Sequence, residues 1–234
     1  MQHLDKRLSV IASLFTPGGR GIDVGTDHGY LPVALVQSGA ALSMLATDVR
    51  PGPLDSARRC VRENGLEGQI ETRLADGLDG LPLAGITDII IAGMGGQLIA
   101  EILSRRVLEL DGINLLLQPM TQAPYLRQWL CENGFAIRQE RCAVAAGKAY
   151  AVIQATFTGE KIPCPPLYAL VGRSPEDEGE DAGTYLETLL GREEKRLKGL
   201  CASASPNPAE IAEAETLISG LREILAARKE KKGE

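Results

Sequence analysis

The stretch Arg20–Leu31, RGIDVGTDHGYL, decides how this chain is read. Ile22 and Val24 close an apolar run, Gly25 follows at once, and Gly29 comes just before a helical pattern opening at Tyr30 and Leu31. A strand, a tight turn and a helix start in that order call for glycine, because the backbone must reverse sharply and admit a ligand with no Cβ in the way. The helix start also presents unpaired N–H groups, so the expected ligand is nucleotide-like.

The spacing narrows the choice. A dinucleotide fingerprint needs G-x-G-x-x-G, whereas Thr26, Asp27 and His28 fill the interval between Gly25 and Gly29, so one of the three glycines has no counterpart. Asp23 inside the strand and Asp48 at the end of the next add two carboxylates to the rim. Such a rim suits S-adenosylmethionine better than NAD: its amino-acid end carries an ammonium, its ribose offers two hydroxyls, and no pyrophosphate has to be cradled.

Working outward, the chain alternates strand and helix. Leu4, Leu8, Ile11, Ala12 and Phe15 mark an amphipathic helix over residues 1–16, ended by Pro17-Gly18-Gly19. Helix 31–36 leads to strand 42–46, and Pro51 starts a helix that runs to Asn64-Gly65 with Arg58, Arg59 and Arg62 on its outer face. A short strand at 70–74 precedes Asp76-Gly77. The runs 88–92 and 113–117 are apolar on both faces, as strands in the middle of a parallel sheet must be. The first opens into the loop Gly93–Gly96 and a helix from Gln97 to about Val107; the second ends in Gln118-Pro119-Met120. A helix carrying Trp129, placed in the core, follows, and strands 136–144 and 149–158 are joined closely enough for an antiparallel hairpin. The expectation is a doubly wound α/β sheet over residues 1–158, with every unusual segment at the carboxyl ends of its strands, where such sheets bind ligands. Residues 159–183, proline-rich and then acidic, read as a linker. Residues 184–234 read as an antiparallel helical hairpin, with Asn207, Pro208 and Glu210 starting its second helix.

Composition sets the class. The chain has 234 residues and 44% hydrophobic content, with a mean hydropathy of −0.04, which is soluble and globular. There is no apolar run of bilayer length, and Asp5, Lys6 and Arg7 inside a helical pattern do not read as a signal peptide, so the expected location is cytoplasmic. Five cysteines, scattered and without a C-x-x-C pair, suggest neither disulfides nor a metal site. The net charge of −6 argues against nucleic acid as a partner. Neither part is basic: 14 basic and 16 acidic residues lie up to residue 158, and 11 and 15 beyond it. RNA contact would need local clusters, for which Lys6-Arg7, Arg58-Arg59-Arg62, Arg105-Arg106 and the hairpin cations Arg192, Lys195, Arg196, Lys198, Arg222, Arg228, Lys229, Lys231 and Lys232 are the candidates.

Asp48 stands where ribose hydroxyls would be accepted, and Asp76-Gly77 where an adenine amino group would be read; either acid can instead cap its own loop. The remaining cofactor candidates are Asp23, Gly25, Thr26, Gly29, Gly93 and Met94. The catalytic candidates are Asp27, His28 and Tyr30, which could stack and bond a base, and Gln118 with Met120, which could hold its other edge.

The segments DVGTDHGYLP (23–32), ATD (46–48), AGMGG (92–96), LQPMTQ (117–122), LRQWLCENGF (126–135) and GKAY (147–150) together resemble the bacterial tRNA (adenine-N1)-methyltransferases of the TrmK type. The resemblance covers about residues 1–158, and the hairpin is similar to that family's C-terminal coiled coil. It implies a Rossmann-like class I methyltransferase fold, S-adenosylmethionine as cofactor, and methyl transfer to N1 of adenine 22 in the D-arm of tRNA. It further implies that Asp23, Gly25, Asp48 and Asp76 line the cofactor pocket. The expected partner is tRNA, with no membrane or metal, for a monomer or weak homo-oligomer. Three other readings of the same residues stay open here: a non-enzymatic RNA-binding protein on this fold, an NAD-dependent oxidoreductase, and a methyltransferase acting on a small molecule, which the acidic pI near 5.2 favours.

Overall fold

A computed structural model describes residues 4–233. The expected helix over 1–16 is α1 (Lys6–Leu14), capped by Asp5, whose carboxylate accepts from the Leu8 amide at 2.8 Å; residues 1–3 of that reading lie outside the described residues. In order follow β1 (Gly19–Val24), α2 (Tyr30–Gln37), β2 (Ala41–Asp48), α3 (Pro51–Glu63), β3 (Ile70–Leu74), β4 (Asp88–Gly95), α4 (Gly96–Ser104), β5 (Asn114–Thr121) and α5 (Ala123–Glu132). The chain continues through β6 (Phe135–Ala145), β7 (Lys148–Phe157), α6 (Pro166–Val171), α7 (Glu180–Cys201) and α8 (Pro208–Lys232).

The sheet has seven strands in the order β3-β2-β1-β4-β5-β7-β6. β1 to β5 are parallel, and the β6–β7 hairpin adds antiparallel to β5. The two doubly apolar runs explain its centre. Ile89, Ile91, Leu115 and Leu117 pack on one face with α4 and α5, while Ile90 and Leu116 pack on the other with Ile11, Phe15, Val33 and Leu35. Each such side chain, fully buried, contributes roughly 1.5–3 kcal/mol. The order reverses between β1 and β4, and the crevice at that switch point is where a ligand belongs.

Two boundaries depart from the sequence reading. The segment 93–95 is not a loop: β4 continues through it, pairing Met94 with Pro119 and Gly95 with Thr121 across a register shift. Gly96 opens α4 and has to be glycine, since a Cβ there would fall 2.3 Å from the Gln122 carbonyl oxygen. The helix then stops at Ser104, and a separate 3-10 turn covers Val107–Glu109.

The stretch read as a linker holds α6 and packs against the sheet edge. Asp177 accepts from the Cys142 amide at 2.8 Å and from Arg141 at 2.9 Å. Leu170 and Val171 join Tyr185, Leu186, Leu189, Leu217 and Leu221 in one apolar cluster with Cys142 and Ala151 of the hairpin strands. At its edge Arg127 and Glu140, both fully buried, pair bidentately at 2.9 and 2.7 Å. The same guanidinium donates to the carbonyls of Ala169 and Leu170 and to the Tyr185 hydroxyl at 3.0 Å. Gly172 must be glycine beside this pair: its φ is +56°, and a Cβ would fall 2.4 Å from Arg127 Nε.

The helices α7 and α8 lie antiparallel, tied by Arg222 to Glu194 at 2.8 Å and Arg196 to Glu213 at 2.9 Å. Asn207 caps α8, accepting from the Ala209 amide and donating to Glu210. Among the described residues no helix is long and apolar enough to cross a membrane.

Candidate functional site

The carboxyl ends of β1 to β4 surround a cavity of about 420 Å³, within the range of small-molecule sites. Asp23, Gly25, Thr26, Asp48, Asp76, Gly77, Gly93 and Met94 line it, and so do Asp27, His28 and Tyr30. Three expected residues do not. Gly29 sits at the α2–α3 contact, where a Cβ would meet Ala57 Cα at 3.2 Å, so it serves helix packing rather than ligand approach. Gln118 is fully buried behind Gly93, and Met120 is exposed beyond it.

The turn after β1 is built for close approach. Gly25 has φ +74°, and a Cβ there would fall 2.3 Å from the Met94 methyl. Asp27 also takes a positive φ, 52°. The turn hangs on β2, since the amides of Gly25 and Thr26 both donate to the Thr47 carbonyl at 2.8 Å. The Thr26 hydroxyl is buried without a full hydrogen bond; it lies against Asp23, and a ligand donor or acceptor would complete it.

Two carboxylates define the electrostatics. Burial pushes the Asp23 carboxyl up to about 6, with the Asp48 charge adding to the rise and the Thr26 hydroxyl opposing it. Asp48 is also buried; its Oδ1 accepts from the Arg50 amide at 2.9 Å, which leaves Oδ2 for a ligand. A carboxyl whose folded value is raised keeps its proton where the unfolded chain loses it, so the stability that Asp23 contributes is fully present at low pH and is lost as pH rises from about 4 through about 6. The loss attributable to Asp23 is about 3 kcal/mol. We expect Asp23→Asn to raise the unfolding free energy at pH 7 but not at pH 4, read from urea denaturation of the ligand-free chain. Equal effects at both pH values would place the cost elsewhere.

In the same β1–α2 turn the rings of His28 and Tyr30 stack with centroids 5.2 Å apart, both side chains partly exposed. Asp76 is held from outside by Arg105, at 3.2 Å, which also takes Asp79 and Glu101. Gln118 Oε1 accepts from the Gly93 amide at 3.1 Å, and its Nε2 donates to the Pro119 carbonyl and the Met120 sulfur. Trp129 packs on Phe135, as its apolar helical face suggested.

Several basic residues proposed for RNA have other partners. Lys6 pairs with Asp181 at 2.7 Å, and Arg7 turns into the cavity. Arg58 bonds Asp55 and Thr72, and Arg106 bonds Glu109 and two carbonyls. On the hairpin, Arg196 and Arg222 hold the helices together, while Arg228 donates to the carbonyls of Asp177 and Gly179. Arg192, Lys195, Lys198, Lys229 and Lys231 are exposed. The sequence reading missed Arg7, Leu8, Val49, Arg50, Leu98 and Ile102 in the cavity wall; only the helical register of α1 could have hinted at Arg7, which shares a turn with the inward-facing Ile11.

The strand order and the acid-rimmed, glycine-lined crevice define a methyltransferase domain, and the family described as "Methyltransferase domain" matches residues 4–153. The chain belongs to the bacterial tRNA (adenine(22)-N1)-methyltransferase family. It is 38% identical over 153 residues to the tRNA (adenine(22)-N(1))-methyltransferase of Bacillus subtilis, a match covering 65% of this chain and 64% of that enzyme. The crystal structure of Streptococcus pneumoniae Sp1610, a putative tRNA (m1A22) methyltransferase, superposes with a TM-score of 0.84 at 31% identity, covering 95% of this chain and all of that one. The same protein in complex with S-adenosyl-L-methionine gives 0.81 at 30% identity, with the same coverage.

Proposed function

We propose that this chain transfers a methyl group from S-adenosylmethionine to N1 of an adenine in tRNA, at the position its family is named for. The observation that carries the reading is the pairing of buried Asp23 and Asp48 with the glycine turn at Gly25, at the switch point of a sheet that matches a donor-bound relative along its whole length.

The residues present fit that donor. Asp48, with Oδ2 uncommitted, accepts the ribose hydroxyls; Ala75 to Gly77 flank the adenine; the turn from Asp23 to Thr26 faces the amino-acid end. Bound there, S-adenosylmethionine supplies a methyl group made electrophilic by its sulfonium. Asp23 is the group that a nearby cation returns to its ionised form, so donor binding releases a proton below about pH 6 and its affinity rises with pH through that range.

The acceptor needs positioning rather than deprotonation. Adenine N1 is unprotonated at neutral pH and carries an in-plane lone pair, so it can attack the methyl group directly once it is aligned with the donor. The stacked His28–Tyr30 pair offers a face for the base, and Asp27 lines the cavity beside it. N1 is the pairing edge, so the target nucleotide must leave its stack to reach them.

Methyl transfer to unmodified tRNA, followed by mass spectrometry of the nucleosides, tests the reading. N1-methyladenosine is the expected product; no product, or methylation elsewhere on the base, overturns it. For the RNA surface we assign the exposed hairpin cations. Reversing Lys195 and Lys198 to glutamate should weaken tRNA binding on the order of tenfold and flatten its salt dependence, with no change in cofactor affinity. Unchanged tRNA binding would remove the hairpin from recognition.

A further inference from the structure

Large apolar side chains left exposed together in a folded chain mark a surface that something else covers. Here they gather on one face: Tyr30, Val49, Leu74, Leu98, Met120 and Tyr125 each lie at, or within a few residues of, the carboxyl end of a strand, from β1 across to β5. Bound donor accounts for Val49 and Leu98, which line the cavity, and the target base for Tyr30. Met120 and Tyr125 lie outside the cavity, so the donor leaves both uncovered.

Tyr125 is the more telling of the two. Among the described phenylalanines, tyrosines and tryptophan, only Tyr125 and Tyr30 are exposed, at 45% and 40%, and the Tyr125 ring stacks on no other. Helix α5 buries Leu126, Arg127, Leu130 and Cys131 and leaves Tyr125 outside. The turn from β5 into that helix adjoins the end of β4, because β5 pairs Pro119 with Met94 and Thr121 with Gly95. Tyr125 therefore follows the strand end next to the one whose Gly93 and Met94 wall the cavity. With the donor lying over β3, β2 and β1, this is the side of the rim left open to the acceptor.

Charge favours a base there over a phosphate. Cations beside the crevice are spent on acids, Arg105 on Asp76, Asp79 and Glu101, and Arg58 on Asp55. No aspartate or glutamate occurs from residue 112 to residue 131, so an RNA strand crossing the end of β5 meets no carboxylate from β5 or the start of α5. Drawing the target adenine out of its stack bares one face of the next base, and an exposed tyrosine covers such a face without using charge.

We propose that Tyr125, with Met120 in the same strand-to-helix turn, is a second stacking platform, which receives the nucleobase adjoining the adenine to be methylated. The assignment rests on the tRNA reading above. It gives the face two aromatic stations, His28 with Tyr30 for the extruded base and Tyr125 for its neighbour. Every base has a face to stack, so the second station holds the strand open without reading its sequence.

The test is binding and single-turnover methylation of unmodified tRNA by the full chain, alongside two tRNAs made abasic at the nucleotide before or after the target adenine. Tyr125→Ala should weaken tRNA binding roughly tenfold. It should leave the affinity for S-adenosylhomocysteine and the salt dependence of tRNA binding unchanged, because no phosphate contact is lost. Tyr125→Phe keeps the ring and should bind tRNA as the wild type does. One of the two abasic tRNAs should bind the wild type as weakly as intact tRNA binds Tyr125→Ala, and that variant should not distinguish the two. Unweakened tRNA binding by Tyr125→Ala overturns the assignment, and so does a flattened salt dependence, which would make the contact a phosphate. Self-association of the wild type that Tyr125→Ala abolishes, with tRNA binding intact, overturns it as well and gives the ring to a second copy of this chain. The abasic tRNAs are read with the wild type, so they decide even where Tyr125→Ala fails to fold: binding of both as tight as that of intact tRNA overturns the platform. A wild-type chain that neither binds nor methylates tRNA would overturn the functional reading itself, before any variant is compared.

Discussion

Replacing Arg127 by methionine is expected to lower the unfolding free energy by about 3–5 kcal/mol, the largest stability effect of any single substitution considered for this chain. The substitution leaves Glu140 buried without its partner, strands the carbonyls of Ala169 and Leu170, and deprives the Tyr185 hydroxyl of its donor. A denaturant titration reads the loss directly, and thermal melting should shift downward by roughly 10 °C for a chain of this size. The pair itself is another matter. Arg127→Met with Glu140→Met removes both charges, and the double variant should recover a large part of what the single one loses, because desolvating two ions costs about what their attraction returns. A double variant as unstable as the single would mean that the carbonyl contacts, not the stranded charge, carry the penalty.

Asp48→Ala should have the largest effect on ligand binding. A carboxylate accepting two ribose hydroxyls contributes about 1.5–3 kcal/mol per charged hydrogen bond, so affinity for S-adenosylhomocysteine should fall at least 100-fold. Stability should hardly change, since within the protein Asp48 serves the half-exposed Arg50 amide. Binding within a few-fold of wild type would remove Asp48 from the cofactor site. A parallel fall in melting temperature would mean instead that the substitution had disturbed β2.

The parts of the fold that could be read from sequence are those whose cause is local. The doubly apolar runs of β4 and β5 announce a buried parallel strand because both faces must be covered, and Asn207-Pro208 announces α8 because cap and first turn lie side by side. What escaped has a distant cause. α6 lies in a proline-rich stretch with little helical signal, and two of its carbonyls are taken by Arg127, about forty residues earlier. Met94 and Gly95 read as loop because glycines suggest one, whereas β5 pairs with them across a bulge.

The site divides in the same way. The residues of the β1 turn and the acid ending β2 were legible because their chemistry and their position at a strand end coincide. The basic residues were not, because a charge in sequence has no stated partner. Arg7 counted as a surface cation until its helix turned it inward, and Arg105 until Asp76, Asp79 and Glu101 were found around it. Gly29 misled for the opposite reason: a glycine before a helix serves tight packing as readily as ligand access, and only Ala57 across the contact decides.

Lys6 and Arg7 are neighbours on one helical turn, the first tied to Asp181 on the arm, the second reaching the crevice. With a rise of about 1.5 Å between them, the two cannot be moved independently. A fragment trimmed to the sheet alone would therefore forfeit an anchor for the very helix that walls its pocket, along with everything Arg127 grips. Ligand measurements on such a fragment would describe a different pocket, so inhibitor screening belongs on the intact polypeptide.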